Sequence, residues 1–339
     1  MQQILLAFVS ATFLYISILA QPAWGQLPEF YKTVDRVQWV VKDLDRVIAG
    51  WSRLGFKDIQ QHGILELKDA QLRDKPATMR LRRATARLGG LEVEWVQPLD
   101  GKNAYTEFLD KHGDGIFSLV HRVPTLDSFK QELAFLCQMG LDVLQRESYE
   151  DAQGTVKTAY LDTEEEGGYV LGLIHDSHPT PCEASTGSQD SPYQLRHSQF
   201  AFVVRNPQPI SLFWKRLGFP ELSLTHGILR DLSYRGQPGF FDQELGWQRH
   251  GKVVYEWCIP LKGPSVYEDH LGRHGEGLHH LGFQVNDIDQ VTRAWKSLGF
   301  QVSQSGAWGD AGKPGSGRFA YVDTDSIGGV TVELLWNYR

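Results

Sequence analysis

Glu333 is the residue whose chemistry fits its surroundings least. It interrupts the apolar run Val330-Thr331-Val332-Glu333-Leu334-Leu335, and a carboxylate buried on such a strand without a partner would cost several kcal/mol. His280 follows the same strand logic, directly before the apolar strand Leu281 to Val285. It is either a functional ligand or a core histidine bonded to a backbone carbonyl. Carboxylate and imidazole together suit proton transfer or metal binding. Strand alternation predicts His279 on the face opposite His280, and His197 on the same face as Gln199. Glu164-Glu165-Glu166 reads as a solvated turn. The three cysteines, Cys137, Cys182 and Cys258, are widely spaced with no CxxC pair, so cysteine chemistry is not indicated. Cys137, in the apolar helical run Leu133 to Met139, is expected in the core. There is no GxGxxG after a strand, no Walker loop, no HExxH and no GxSxG elbow.

The elements that must hold these residues come from a duplication. Arg53-Leu54-Gly55-Phe56 returns as Arg216-Leu217-Gly218-Phe219, and His62-Gly63-Ile64-Leu65 as His226-Gly227-Ile228-Leu229. Glu94-Trp95 with Pro98-Leu99 returns as Glu256-Trp257 with Pro260-Leu261. His112-Gly113-Asp114-Gly115 matches His274-Gly275-Glu276-Gly277, and Asp162-Thr163 with Gly167-Gly168 matches Asp323-Thr324 with Gly328-Gly329. Five motifs in order at a near-constant offset mean two homologous domains, here residues 30–175 and 194–339. The Pro-, Ser- and Thr-rich stretch 176–193 joins them. Within each copy a strand, a helix and further strands occur twice. The first copy has strand Val37–Val41, helix Leu44–Leu54 and strands Ala77–Leu88 and Leu91–Val96. It then restarts with strand Ile116–Val123, helix Leu126–Met139 and strands Ala159–Leu161 and Tyr169–Ile174.

The chain has 339 residues, 34 basic against 41 acidic for a net charge of −7, and 41% hydrophobic residues. That balance supplies a core and excludes disorder. The lack of clustered positive charge argues against nucleic acid as the partner; a small-molecule substrate is expected. Ile4 to Ala20 is an apolar run followed by Ala23-Trp24-Gly25, with small residues at −3 and −1 of a cleavage point. Residues 1–25 thus read as a signal peptide. The mature protein is expected to be secreted or periplasmic and off the membrane, or anchored if the signal stays on. A monomer or a homodimer is expected.

The run Glu276-Gly277-Leu278-His279-His280-Leu281-Gly282-Phe283-Gln284-Val285 and the closing Phe319 to Asp323 with Gly328 to Leu335 resemble the second βαβββ module of the vicinal oxygen chelate superfamily. Glyoxalase I, methylmalonyl-CoA epimerase, extradiol and 4-hydroxyphenylpyruvate dioxygenases and metal-free binding proteins belong to it. The wording is closest to the epimerase branch. The resemblance implies an α+β fold of four βαβββ modules paired into two domains with half-open curved sheets. It also implies metal ligands on the first and last strands of each module. In domain two these positions hold Gln199, Glu256, His280 and Glu333, with His197 as a substitute for Gln199. In domain one they hold Arg36, Glu94, Ser118 and Gly172, which cannot form the site. An oxygen-rich set with one imidazole suits Zn²⁺, Mn²⁺, Fe²⁺, Co²⁺ or Ni²⁺.

Three readings follow. The first is an exported divalent-metal enzyme, a glyoxalase- or epimerase-like isomerase or lyase. It would stabilise an enolate or enediolate, with Glu333 or Glu256 moving the proton. The second is a non-haem Fe dioxygenase of extradiol or 2-oxo-acid type, with His197 as the second histidine. The third is a metal-free protein that binds a small ligand in the cleft. In domain one, charge predicts an Arg36–Glu94 ion pair where the metal would otherwise sit.

Overall fold

Each of the four modules opens with the same helix grammar. Asp43, Thr125, Asn206 and Asp287 cap helices α1 (Leu44–Arg53), α3 (Leu126–Gln138), α5 (Pro207–Arg216) and α7 (Ile288–Ser297), each accepting a backbone N–H two or three residues on. Gly55, Gly140, Gly218 and Gly299 end them, all at positive φ, the conformation that closes a helix C-terminus at least cost. Two linking helices, α2 (Ala104–His112) and α6 (Val266–Arg273), join the modules within each domain, and α4 (Glu164–Gly167) is a single turn. The structure is a computed structural model and describes residues 27–150, 154–178 and 192–338. The expected signal segment 1–25, residues 179–191 of the linker and Cys182 lie outside the described residues. No helix among the described residues is long and apolar enough to cross a membrane.

The first domain contributes β1 (Arg36–Val40), β2 (Gln60–Leu72), β3 (Lys75–Leu88), β4 (Leu91–Asp100), β5 (Gly115–Arg122), β6 (Val143–Glu150), β7 (Thr155–Leu161) and β8 (Val170–Asp176). They close into a barrel, sealed where Gln71 and Leu72 of β2 pair with Arg146 and Gln145 of β6. The second domain contributes β9 (Arg196–Val203), β10 (Ser223–Thr225), β11 (Leu229–Tyr234), β12 (Gln237–Pro238), β13 (Asp242–His250), β14 (Val253–Lys262), β15 (Gly277–Gln284), β16 (Val302–Trp308), β17 (Gly317–Val322) and β18 (Thr331–Asn337). Here the counterpart of the long β2 is broken: β10 pairs with β13, whereas β11 pairs with β16. No seam forms, and the second sheet stays half-open. The sheet order β14–β9–β15–β18 at its centre carries the candidate site.

The expected helices and strands form within a few residues of their predicted ends. The linking helices and strands β2, β6 and β16 were not legible. In β2 the alternation is disturbed by pairing shifts between His62 and Leu65 and between Leu67 and Ala70, so no period of two survives in its sequence. Cys137 is exposed rather than in the core, because the buried face of α3 is set by Phe129 and Leu136.

The repeated glycine pairs dock the domains. Trp51 Nε1 donates to the Ile327 carbonyl at 3.1 Å and Trp39 Nε1 to the Gly328 carbonyl at 2.6 Å; in return Trp214 Nε1 donates to the Gly167 carbonyl at 2.8 Å. Gly168, at φ +81°, lies so close to Trp257 that an added Cβ would stand 2.9 Å from the indole. One apolar cluster runs through the junction, including Trp39, Trp51 and Trp95 from one domain and Trp214, Trp257 and Trp295 from the other.

Candidate metal centre

Strand register builds the site from four neighbouring strands. Gln199 of β9 lies opposite Gly282 of β15, and Gly282 lies beside Glu333 of β18. Glycine at the middle position is what lets the two outer side chains meet: a Cβ on Gly282 would stand 2.5 Å from Gln199 Cγ. Across that gap Gln199 Nε2 donates to Glu333 Oε2 at 3.0 Å, and it donates to Glu256 Oε2 of β14 at 2.6 Å. His280, two residues before Gly282 and on the same face, places Nε2 3.3 Å from both of these carboxylate oxygens. The structure therefore brings Gln199, Glu256, His280 and Glu333 to one point, and all four are buried.

Burial, and then the neighbouring Glu333, push the Glu256 carboxyl above its ordinary value. Burial alone would lower His280, but Glu333 and Glu256 outweigh it and raise the imidazole to about 9. Without a cation, the cluster gathers two acidic side chains around a protonated imidazole.

The residues present fit a metal ion. His280 Nε2 has ion-pair distances to both carboxylates but no hydrogen bond of good geometry, so it is an orphaned buried donor atom. Ligand atoms of Glu256, Cys258 and His280 lie within 4.8 Å of one another, a buried group able to hold a metal ion. Cys258 follows Glu256 by two residues on the same strand face, and that alternation was the signal by which it could have been found. Burial pushes its thiol well above the ordinary value, so ligation would require loss of that proton. Gln199 now turns its amide nitrogen to the carboxylates; a flip would offer its oxygen instead.

Two sequence expectations about histidines are corrected. His279 does not face away from His280: the pairing of β15 with β9 shifts between Leu278 and His280, and the bulge breaks the alternation. Its Nδ1 lies 2.8 Å from His280 Nδ1, a partner that fixes which His280 nitrogen faces the carboxylates. His197 does not replace Gln199. A second shift, between Gly282 and Phe283, turns its ring against Phe200 at 4.4 Å and Phe283 at 5.7 Å, where burial lowers its pKa to about 4. Glu164 is also more than part of a solvated turn. It meets His112 at 2.6 Å and Lys111 at 2.8 Å, and these contacts, working against burial, hold its carboxyl down to about 2.

Above the cluster lies a cavity of about 440 Å³. Glu256, Gln199 and Glu333 form its floor, and Leu229, Leu245, Trp247, Trp308, Phe319 and Leu335 line it. The equivalent space in domain one is about 20 Å³. There the register sets Gln38 opposite both Glu94 and Ser118, and Arg36 and Gly172 opposite Val120, matching Arg36, Glu94, Ser118 and Gly172 to the four site positions. Arg36 reaches Glu94 at 3.6 Å, but Arg83 of β3 is closer at 3.0 Å. The ion pair exists, with a second guanidinium that sequence reasoning missed.

The family model of the Glyoxalase/Bleomycin resistance protein/Dioxygenase superfamily matches residues 35–160 and again 198–321. The chain belongs to this superfamily, as a tandem of two such domains. Among solved structures, a triple mutant of 4-hydroxymandelate synthase from Streptomyces coelicolor is 15% identical, with 90% of this chain and 92% of that chain covered and a TM-score of 0.58. A Mn(II)-bound glyoxalase from Novosphingobium aromaticivorans is 15% identical over 90% and 81% of the two chains, with a TM-score of 0.45. A halotolerant catechol dioxygenase is 12% identical over 90% and 87%, with a TM-score of 0.43.

Proposed function

We propose that the protein is a divalent-metal-dependent isomerase or lyase, glyoxalase- or epimerase-like, whose metal is held by Gln199, Glu256, His280 and Glu333 with Cys258 beside them. The observation that carries this reading is the convergence of two buried carboxylates on one imidazole nitrogen, both at 3.3 Å, under a cavity large enough for a small molecule. A bound divalent cation would supply Lewis-acid polarisation of the substrate oxygens and stabilisation of an enolate or enediolate. The chain supplies the proton chemistry. Burial, and then Glu333, raise the Glu256 carboxyl above its ordinary value, the direction a carboxyl group needs to pass a proton to and from a substrate at the cavity floor. Gln199 hydrogen-bonds both carboxyl groups, and His279 engages Nδ1 of His280, which leaves Nε2 toward the carboxyl groups.

The dioxygenase reading required His197, and its ring is spent against Phe200 and Phe283. Metal analysis of the purified chain, followed by proton exchange at carbon next to a carbonyl and by oxygen uptake, tests the proposal. Stoichiometric metal with exchange and no oxygen use is the expected result. Oxygen consumption, or a chain that binds no divalent ion, would overturn it. Export belongs to the same proposal and is checked by N-terminal sequencing of the mature protein, with cleavage after Gly25 expected.

A further inference from the structure

The duplicated architecture contains its own control for the mouth of the cavity. In domain one, Arg87 of β3 lies next to Glu92 of β4, and the two form an ion pair at 2.5 Å. The corresponding pair in domain two is Arg249 of β13 and Val254 of β14, in the same register. The arginine has been kept in place while its carboxylate partner is replaced by an aliphatic side chain. Among the described residues Arg249 makes no ion pair. Its guanidinium instead lies over the Trp247 ring, 4.7 Å from the centroid, a cation–π contact that holds its plane without using up its N–H donors.

Arg249 lines the same cavity as the buried cluster. The alternation of β13 puts Gln243, Leu245, Trp247 and Arg249 on the cavity face. Val254 precedes Glu256 by two residues, so Arg249 stands about 7 Å along the sheet from the floor position. Trp247, Trp308, Phe319 and leucines line the same cavity. A guanidinium without an ion pair, apolar and aromatic lining, and a group of buried carboxyl side chains in one cavity specify a ligand. It has an anionic end, a flat hydrophobic body and an oxygen-bearing end.

We propose that Arg249 is a carboxylate-binding residue at the mouth of this cavity and that the substrate is an aromatic carboxylic acid bound with its carboxylate outward. The orientation follows from geometry: the planar guanidinium fork on β13 accepts the carboxylate, which leaves the oxygen-bearing end for Gln199, Glu256 and Glu333 in the same cavity. This inference rests on the metal-enzyme reading only for what happens at the floor.

Titration calorimetry of the full chain tests it with two probes, 3-(3,4-dihydroxyphenyl)propanoate and its primary amide, each with metal-free protein and with added Mn²⁺. The acid is expected to bind about tenfold more tightly than the amide in both forms, the lower end for a hydrogen bond to a charged group. In Arg249→Gln the two probes should bind equally, and Arg249→Lys should retain part of the preference. Arg87→Gln, at the matching position of domain one, should change nothing. Equal binding of acid and amide to the native chain, a preference that survives Arg249→Gln, or no binding of either probe overturns the proposal. If the preference behaves as expected while Mn²⁺ leaves every affinity unchanged, the carboxylate site stands and the metal reading fails.

Discussion

At the residue scale, the site depends on a missing side chain as much as on the four that converge. Gly282 leaves the space through which Gln199 reaches Glu333. Gly282→Ala would put a methyl 2.5 Å from Gln199 Cγ, a mid-chain atom that cannot swing clear. Such overpacking costs about 1–3 kcal/mol, and it should also weaken metal uptake by displacing the amide; thermal melts and chelator competition read the two effects. His279→Ala should leave the ligands in place and lower metal affinity about 10–100-fold, as loss of an orienting partner does, measured by the same competition. His280 gives a pH signature in metal-free protein. Its folded-state pKa is raised to about 9, so its contribution to stability is complete below the ordinary histidine value near 6.5 and is lost as pH rises through about 9. Melts of metal-free wild type and His280→Gln across that window should converge at the alkaline end. Curves that stay parallel would count against a protonated His280.

At the element scale, the two domains turn the same strands to different ends. In domain one the pocket that the second domain leaves open is filled from β1 and β3 by Arg36 and Arg83, which share Glu94. Either arginine alone can still compensate that carboxylate. Arg36→Ala or Arg83→Ala should therefore cost about 1 kcal/mol, whereas the double substitution should cost about 3–5 kcal/mol, because Glu94 is then buried unpaired. A double-mutant cycle from urea unfolding measures this, and simple additivity would show that Glu94 does not depend on the pair. The contact between α2 and α4 has the opposite pH sense to His280. Glu164 is held down to about 2, so its stabilisation is present above the ordinary carboxylate value near 4.5 and is lost as pH falls toward 2. Glu164→Gln should remove that acid dependence from the melting curve.

At the scale of the whole molecule, the paired domains behave as one body around a shared core. The reciprocal tryptophan-to-carbonyl bonds join α1 to the turn before β18 and α5 to the turn before β8, and the same apolar cluster continues through both domains. Unfolding is expected as a single transition, coincident by far-UV circular dichroism and by tryptophan fluorescence. Two separated transitions would show that the junction is weaker than its packing implies. Trp51→Ala removes a fully buried ring together with its bond to Ile327 and should cost about 3–5 kcal/mol. It should still melt as one unit if the junction is part of the core.

The sequence by itself determined the duplication and the four modules, because caps, helix-ending glycines and apolar periods are local signals repeated in order. It also placed Glu333 and His280 as buried groups out of keeping with their strands, and through family resemblance it placed Gln199 and Glu256 with them. Tertiary structure alone decided whatever depends on pairing between distant strands. Two shifts in the register of β15 against β9 brought His279 to His280 and took His197 away from the site, and no single strand encodes such a shift. Arg83, the open seam of the second sheet and the unpaired Arg249 have the same origin. Each is a relation between neighbouring strands far apart in the chain, and side-chain chemistry becomes a site only when the pairing register sets those neighbours side by side.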